Sequence, residues 1–307
     1  MAVTASDAIA PTGAVPFMRR LLMRSEALRG YLLLSPTLLV MLGIMVIPMV
    51  GMVVLSFWTQ IAGTEFDTTF TLQNYIDAFT REMYRILFVR SLGVSLLTTL
   101  FTVALAYPVA YYVAFHVHKR KMLWIILMTL PFWTSYLLRV FAWKIILGYN
   151  GAINSGLISA GVIDEPMTLL LYNPAAVVIT LTHAWAAFAI LPIYVSLEKI
   201  DRSLLEAATD LGDGPVMRFL RVTLPLSVPG VIAASVLIFI PTVGDYVTPS
   251  LVGGTDGYMI ANAIQFQFAR GNNWPLGAAL ALSSMFIVTA IVLVYVSIVR
   301  RVTARIG

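Results

Sequence analysis

Asp201-Arg-Ser-Leu-Leu-Glu-Ala-Ala-Thr-Asp-Leu-Gly-Asp-Gly-Pro-Val-Met-Arg-Phe-Leu-Arg-Val-Thr-Leu-Pro-Leu-Ser-Val-Pro229 separates two long apolar runs and carries the most specific signal in the chain. Its residue order spells two helices joined by a turn. Asp201 or Ser203 can cap the first helix, and Glu206, three residues after Ser203, has the spacing of a capping box. Ala207 and Ala208 favour helix and leave a flat face. Gly212 and Gly214 end the helix, and Pro215 suits the first turn of the next one. That second helix sets an apolar face (Val216, Phe219, Leu220) against Arg218 and Arg221, and Pro225 leads into the following apolar run. By composition alone, the same segment also fits an amphipathic hairpin resting on a membrane surface.

The surroundings of the loop are those of a membrane protein. Of 307 residues 59% are hydrophobic and 11% charged, against about 25% charged in a soluble domain. Six runs reach the roughly 20 apolar residues that a spanning helix needs: about 31–58, 91–116, 122–147, 174–198, 227–250 and 276–299. They lack the alternation of barrel strands, so helices are expected. Interior prolines (Pro48, Pro108, Pro131, Pro192, Pro241) are tolerated where neighbouring helices satisfy the freed backbone groups. The first run is too long for the core of a signal peptide and reads as a retained span. Residues 1–16 have the composition of a disordered segment.

Counting Lys and Arg in the connections orients the bundle. With the N-terminus inside, the cytoplasmic segments hold 14 of the 20 basic residues: four before the first span, Lys119 to Lys121, four between Lys199 and Arg221, and Arg300, Arg301 and Arg305. Both termini are then cytoplasmic, and so is the loop. The net charge of +5 is accounted for at the ends of apolar runs, which removes the argument for a nucleic-acid partner. With no cysteine and three scattered histidines (His116, His118, His183), neither a metal motif nor a catalytic cluster is legible.

Glu206-Ala207-Ala208, three residues, Gly212, nine residues, then Val222-Thr223-Leu224-Pro225 resembles the EAA signature of ABC importer permeases. Leu130 to Arg139 with Ala142-Trp143, Asn150 to Asn154, and Gly244 to Gly254 resemble the spermidine/putrescine-type subfamily, in its first-permease branch. Together these stretches cover most of residues 30–300. The resemblance implies an all-α, type I (MetI-like) permease fold with six spans in a bacterial inner membrane. It divides the chain into a partly disordered cytoplasmic segment 1–29, a permease domain 30–300 with a coupling loop at 199–226, and a tail 301–307. Partners implied are a second homologous permease, two copies of a cytoplasmic ATPase, a periplasmic solute-binding protein and membrane lipid. No phosphate-cradling loop is present, because none of the four lysines follows a glycine. The chain is therefore expected to be no enzyme and to hold no cofactor, with ATP and Mg bound by the partner ATPase.

By the same resemblance Glu206, Ala207, Ala208, Leu211, Gly212 and Pro225 form the ATPase-coupling element, the two alanines allowing close approach. For the solute pathway the candidates are Asp245, Tyr246, Trp133, Arg139 and Trp185. Asp245 is the one acid that falls well inside an expected span, about 17 residues along and so roughly 26 Å into it, in its outer part. A carboxylate among aromatic rings suits an organic cation. The bland readings are a carboxylate at a helix end, paired with Arg139 or solvated by the periplasm, and an aromatic belt for Trp133. A polyamine is the expected cargo, with an opine, phosphonate or amino-acid-like solute as alternatives. An ion-coupled secondary transporter is the rival class, and it predicts midplane acids and internal repeats that are not evident.

Overall fold

The computed structural model describes residues 26–306 except Thr64 and Leu171, so the expected disordered N-terminal stretch lies outside the described residues. The chain divides into two units, one ending at Met52 and one running from Val53. The described part of the first unit is helix α1 (Glu26–Leu55) as far as Met52. From Gly30 its mean hydropathy is 2.8, and Leu33, Ile44 and Ile47 are all more than 70% exposed. A helix apolar on all sides, with no aqueous face, is built for lipid.

The second unit begins with a short antiparallel hairpin, β1 (Thr59–Ala62) and β2 (Glu65–Asp67), with Thr59 opposite Asp67. This corrects the all-α expectation. The chain reverses at Gly63, whose φ of +53° favours glycine. The segment before the hairpin is pinned to α2 (Gln73–Thr80), where the buried Asn74 amide donates to the Ser56 and Trp58 carbonyls at 2.9 and 2.8 Å.

Helix α3 (Glu82–Phe115) starts nine residues earlier than the apolar run suggests. The third expected span, 122–147, is broken. Helix α4 (Lys121–Thr129) passes through a 3-10 turn at Leu130–Trp133, and after extended Thr134 and Ser135 the chain starts α5 (Tyr136–Leu147), bent by 83° from the first piece. Pro131 supplies no N–H and interrupts the ladder. Its own carbonyl is satisfied by the Thr134 hydroxyl at 2.7 Å, so the break leaves no stranded acceptor there. Helix α6 (Ala152–Ser159) follows, and Asn154 staples this connection by donating to Gly148, Tyr149 and Met167 carbonyls and accepting from Met167 N–H.

Helix α7 (Pro174–Glu198) matches its expected span, with the Asn173 side chain accepting from Ala176 N–H as N-cap. Then come α8 (Arg202–Asp210), α9 (Pro215–Arg218), a π-helical turn over Phe219–Thr223 and α10 (Leu224–Val243). A second π turn (Pro249–Gly253), α11 (Ile260–Ala269) and α12 (Trp274–Ile306) complete the chain. Among the described residues, five helices are long and apolar enough to cross a membrane, or up to six if the bent pair counts as one span.

The core is the junction of α3, α7 and α10. Ala106, Ala110, Ala189, Ile193, Ala234 and Ile238 are all at most 2% exposed and pack in one cluster. A Cβ on Gly230 would lie 2.5 Å from Ser196 Cβ and 2.6 Å from the Pro192 carbonyl, so α10 touches α7 backbone to backbone. Small residues permit this approach where no hydrophobic effect drives helices together.

Candidate functional site

The loop folds as a helical hairpin. Asp201 is the N-cap of α8, accepting from Ser203 N–H at 3.0 Å. That bond holds its carboxyl below the usual carboxylate range, with little opposition from burial. The helix begins one residue after Asp201, and the expected Ser203–Glu206 capping box does not form, because Asp201 already supplies the cap. At the other end Gly212 has φ +92°. Asp213 N–H donates to the Ala208 carbonyl at 3.0 Å and Gly212 N–H to Thr209 at 2.9 Å, a Schellman closure. Gly214 caps the next helix and Pro215 opens it. Arg218 reaches back to the Thr209 hydroxyl and Arg221 to the Asp213 carboxylate, both at 2.9 Å. The Arg221 side chain is 65% exposed, so this pair is worth under about 1 kcal/mol; it sets geometry more than stability.

Glu206 and Ala207 face outward, and Leu211 at the hairpin tip is 88% exposed. Val216 (72%) and Leu204 (47%) of the same hairpin are also exposed. Ala208 corrects the expectation of two outward alanines, since it is turned inward and only 7% exposed. Pro225 lies within the continuous helix that leaves the loop. The π turn just before it lets Leu224 N–H reach the Phe219 carbonyl, absorbing the register slip that a helical proline imposes. Phe219 packs edge-on against Tyr107 and Tyr111 of α3, and the Tyr107 hydroxyl meets Ser227 at 2.7 Å. The hairpin is thereby fixed to the core.

The second candidate region lies at the far end of α10. That helix stops at Val243, so the expected 227–250 run is not one continuous helix, and Asp245 lies in a break just beyond the helix end. Asp245 Oδ1 accepts from Val247 and Thr248 N–H at 2.8 and 3.3 Å and restarts the helical path. Its other oxygen is bonded by the Tyr136 hydroxyl, which also meets Thr248. A cavity of about 430 Å³ brings Asp245 together with Arg139 and Trp185, among Phe132, Tyr136 and Phe188. The Arg139 guanidinium lies 5.6 Å from the Phe132 ring centre and 5.8 Å from that of Tyr136, and Nη1 donates to the Ala184 carbonyl at 2.9 Å. Arg139 and Asp245 form no ion pair. Arg139 Nε and Trp185 Nε1 are buried without a hydrogen-bond partner among the described residues.

The other two pathway candidates lie elsewhere. Tyr246 faces a separate cleft of about 660 Å³ that also holds Arg90 and Arg270. Trp133 is 85% exposed and does not line the Asp245 cavity. Tyr136 is the residue that sequence reading missed. It stands inside a recognised motif, but its contact with Asp245 spans 109 positions.

Comparison with known proteins agrees with this architecture. Residues 88–306 match the family described as "Binding-protein-dependent transport system inner membrane component". The chain is 36% identical over 263 residues to "Spermidine/putrescine transport system permease protein PotB" of Escherichia coli (strain K12), covering 82% of this chain and 95% of that protein. It is 34% identical over 249 residues to the protein of the same name in Haemophilus influenzae, with 81% and 86% covered. The fold is shared, at TM-score 0.72 and 19% identity, with a bacterial alginate ABC transporter solved in complex with alginate pentasaccharide-bound periplasmic protein, covering 92% of this chain and 97% of that one. The chain belongs to the family of binding-protein-dependent transport system inner membrane components and is the permease component of an ABC importer.

Proposed function

We propose that this permease forms half of a translocation pathway for a polyamine and is driven by a separate ATPase that docks on the α8 hairpin. The observation that carries the docking reading is Leu211, 88% exposed on a tip whose backbone is closed by a Schellman motif. A rigid hairpin presenting an apolar tip beside Glu206 and Ala207 is an unfavourable surface in water and a good one in a protein groove. The charge bias supports six spans in a bacterial inner membrane, counting the broken pair as one, with both termini and the hairpin cytoplasmic. A second similar permease, two ATPase copies carrying ATP and Mg, and a periplasmic binding protein complete the machine. This chain contributes motion and a path, and ATP hydrolysis belongs to the ATPase.

Polyamine cargo is favoured by the names of the relatives and by the cavity, where the Asp245 carboxylate stands among aromatic rings. A second reading, an amino-acid-like or opine cargo, is favoured by Arg139 Nε and Trp185 Nε1, two donors that an ammonium cannot satisfy. Leu211→Asp, placed at the tip, tests the docking reading. The variant is expected to insert normally, to lose the ATPase on co-purification, and to lose uptake more than tenfold; an ATPase retained at wild-type stoichiometry with normal uptake would refute it. Competition of uptake by spermidine against amino-acid-like solutes separates the two cargo readings.

A further inference from the structure

The cavity beside Asp245 already contains a cation. Arg139 extends its guanidinium over Phe132 and Tyr136, at 5.6 and 5.8 Å, within the range where a cation is held by ring faces. Arginines removed from water are normally paired with carboxylates. Among the described residues, the ion pairs are Arg81–Asp77, Lys121–Glu198 and Arg221–Asp213, and Arg139 is in none of them. The acid in its own cavity is committed elsewhere, to the Tyr136 hydroxyl and two backbone N–H groups. A single hydrogen bond, to the Ala184 carbonyl, holds the guanidinium in place, and Nε has no partner. The cavity therefore holds an anion and a cation that are not paired with each other, and leaves the cation on the aromatic wall with one hydrogen bond.

We propose that Arg139 is a specificity-determining residue, a tethered competitor that occupies the ring-lined side of the cavity and must be displaced by a ligand cation before the ligand can use both the rings and Asp245. This rests on the reading that a cationic solute passes Asp245. A ligand with one ammonium gains the carboxylate but meets the Arg139 charge beside it. A ligand with two ammoniums on a flexible chain engages Asp245 with one and takes the rings with the other. The residue thus sets a threshold that favours polyvalent amines over monovalent ones.

The test measures direct binding to the intact permease–ATPase complex in detergent, without binding protein, using putrescine and n-butylamine, which differ by one ammonium on the same four-carbon chain. Arg139→Gln is expected to bind both amines more tightly, putrescine by about fivefold and n-butylamine by about tenfold or more, so that discrimination narrows. Arg139→Met, close in length and uncharged, is expected to do the same and serves if the Gln variant fails to assemble. Arg139→Lys keeps the charge and is expected to stay near wild type. A residue that merely supports the fold would weaken binding when replaced. Unchanged or weaker binding in both neutral variants, with binding still lost in Asp245→Asn, overturns the competitor role alone. Unchanged binding in Asp245→Asn overturns the cavity reading and this proposal with it.

Discussion

Replacing Gly230 by alanine adds one methyl group to the closest helix contact in the core. The new Cβ would stand 2.5 Å from Ser196 Cβ, 2.6 Å from the Pro192 carbonyl oxygen and 3.1 Å from Ile193 Cα. Two of the three obstacles are backbone, so no rotamer change on α7 clears them. Restoring ordinary contact requires the helices to separate by about 1 Å, a gap that forfeits a quarter to a half of the dispersion energy of each contact it opens. The pairs affected include Ala189, Ile193, Ala234 and Ile238. Overpacking of this kind costs about 1–3 kcal/mol, with the upper part of that range expected where backbone is the obstacle. Gly156 provides the control. It lies in α6 with nothing within 4 Å of its would-be Cβ, so alanine there is expected to be neutral or stabilising by up to about 1 kcal/mol. Thermal denaturation of the purified complex in detergent should show a lower midpoint for Gly230→Ala and an unchanged or higher one for Gly156→Ala. Equal midpoints for Gly230→Ala and wild type would refute the close-packing argument, as would an equal loss in both variants.

Gly212→Val forces a β-branched residue into φ +92° and is expected to open the Schellman closure at a cost of about 1–2 kcal/mol, seen as faster amide exchange at position 212 and at Asp213 and reduced ATPase co-purification. The carboxyl of Asp201 is held low by the Ser203 N–H, so its capping contribution is fully present above the unfolded carboxylate pKa and is lost as pH falls through the lower, folded value. The protection factor of the first-turn amides of α8 should therefore hold from neutral pH down to the ordinary carboxylate range and fall only in more acid solution, whereas Asp201→Ala should show the lowered protection throughout. Protection that fades already near neutral pH would sink that assignment.

The parts of the molecule legible in the sequence are those set by local chemistry. Asn173 before Pro174 and Lys199 after Glu198 bracket α7, and the glycines and proline of the hairpin fix its turn within a few residues. The capping box at Ser203 misleads because Asp201, two positions earlier, offers an equally good acceptor, and the backbone accepts only one start. The break of the third expected span was not legible from composition. Pro131 alone is compatible with a bent but continuous helix, and what turns the chain is the extended pair Thr134 and Ser135 after it. Asp245 was legible as an acid in an apolar run but not as a cap. The signal was present in Gly244 before it and Pro249 four residues after it, the punctuation of one helical segment ending and another beginning. Asn154 shows a motif position with a purely structural use, since all four of its bonds go to its own connection. The Arg139–Asp245 cavity depends on contacts across more than one hundred residues, which no local pattern encodes.

The hairpin and the cavity are joined by one uninterrupted helical path, Pro215–Val243, of 29 residues. On the docking reading proposed above, that path would act as a lever with its fulcrum at the Gly230 contact near its middle. Over its length of roughly 40 Å, a tilt of about 5° swings one end past the other by about 4 Å, comparable to the width of an aromatic ring. Because two of the three closest atoms at the fulcrum are α7 backbone, a tilt imposed at the hairpin would reach Pro241 and the Asp245 break less whatever the π turn takes up. The π turn at Phe219–Thr223 lies on the loop side of the fulcrum, where a small change of winding would adjust the reach of the hairpin before it met the wall of the cavity.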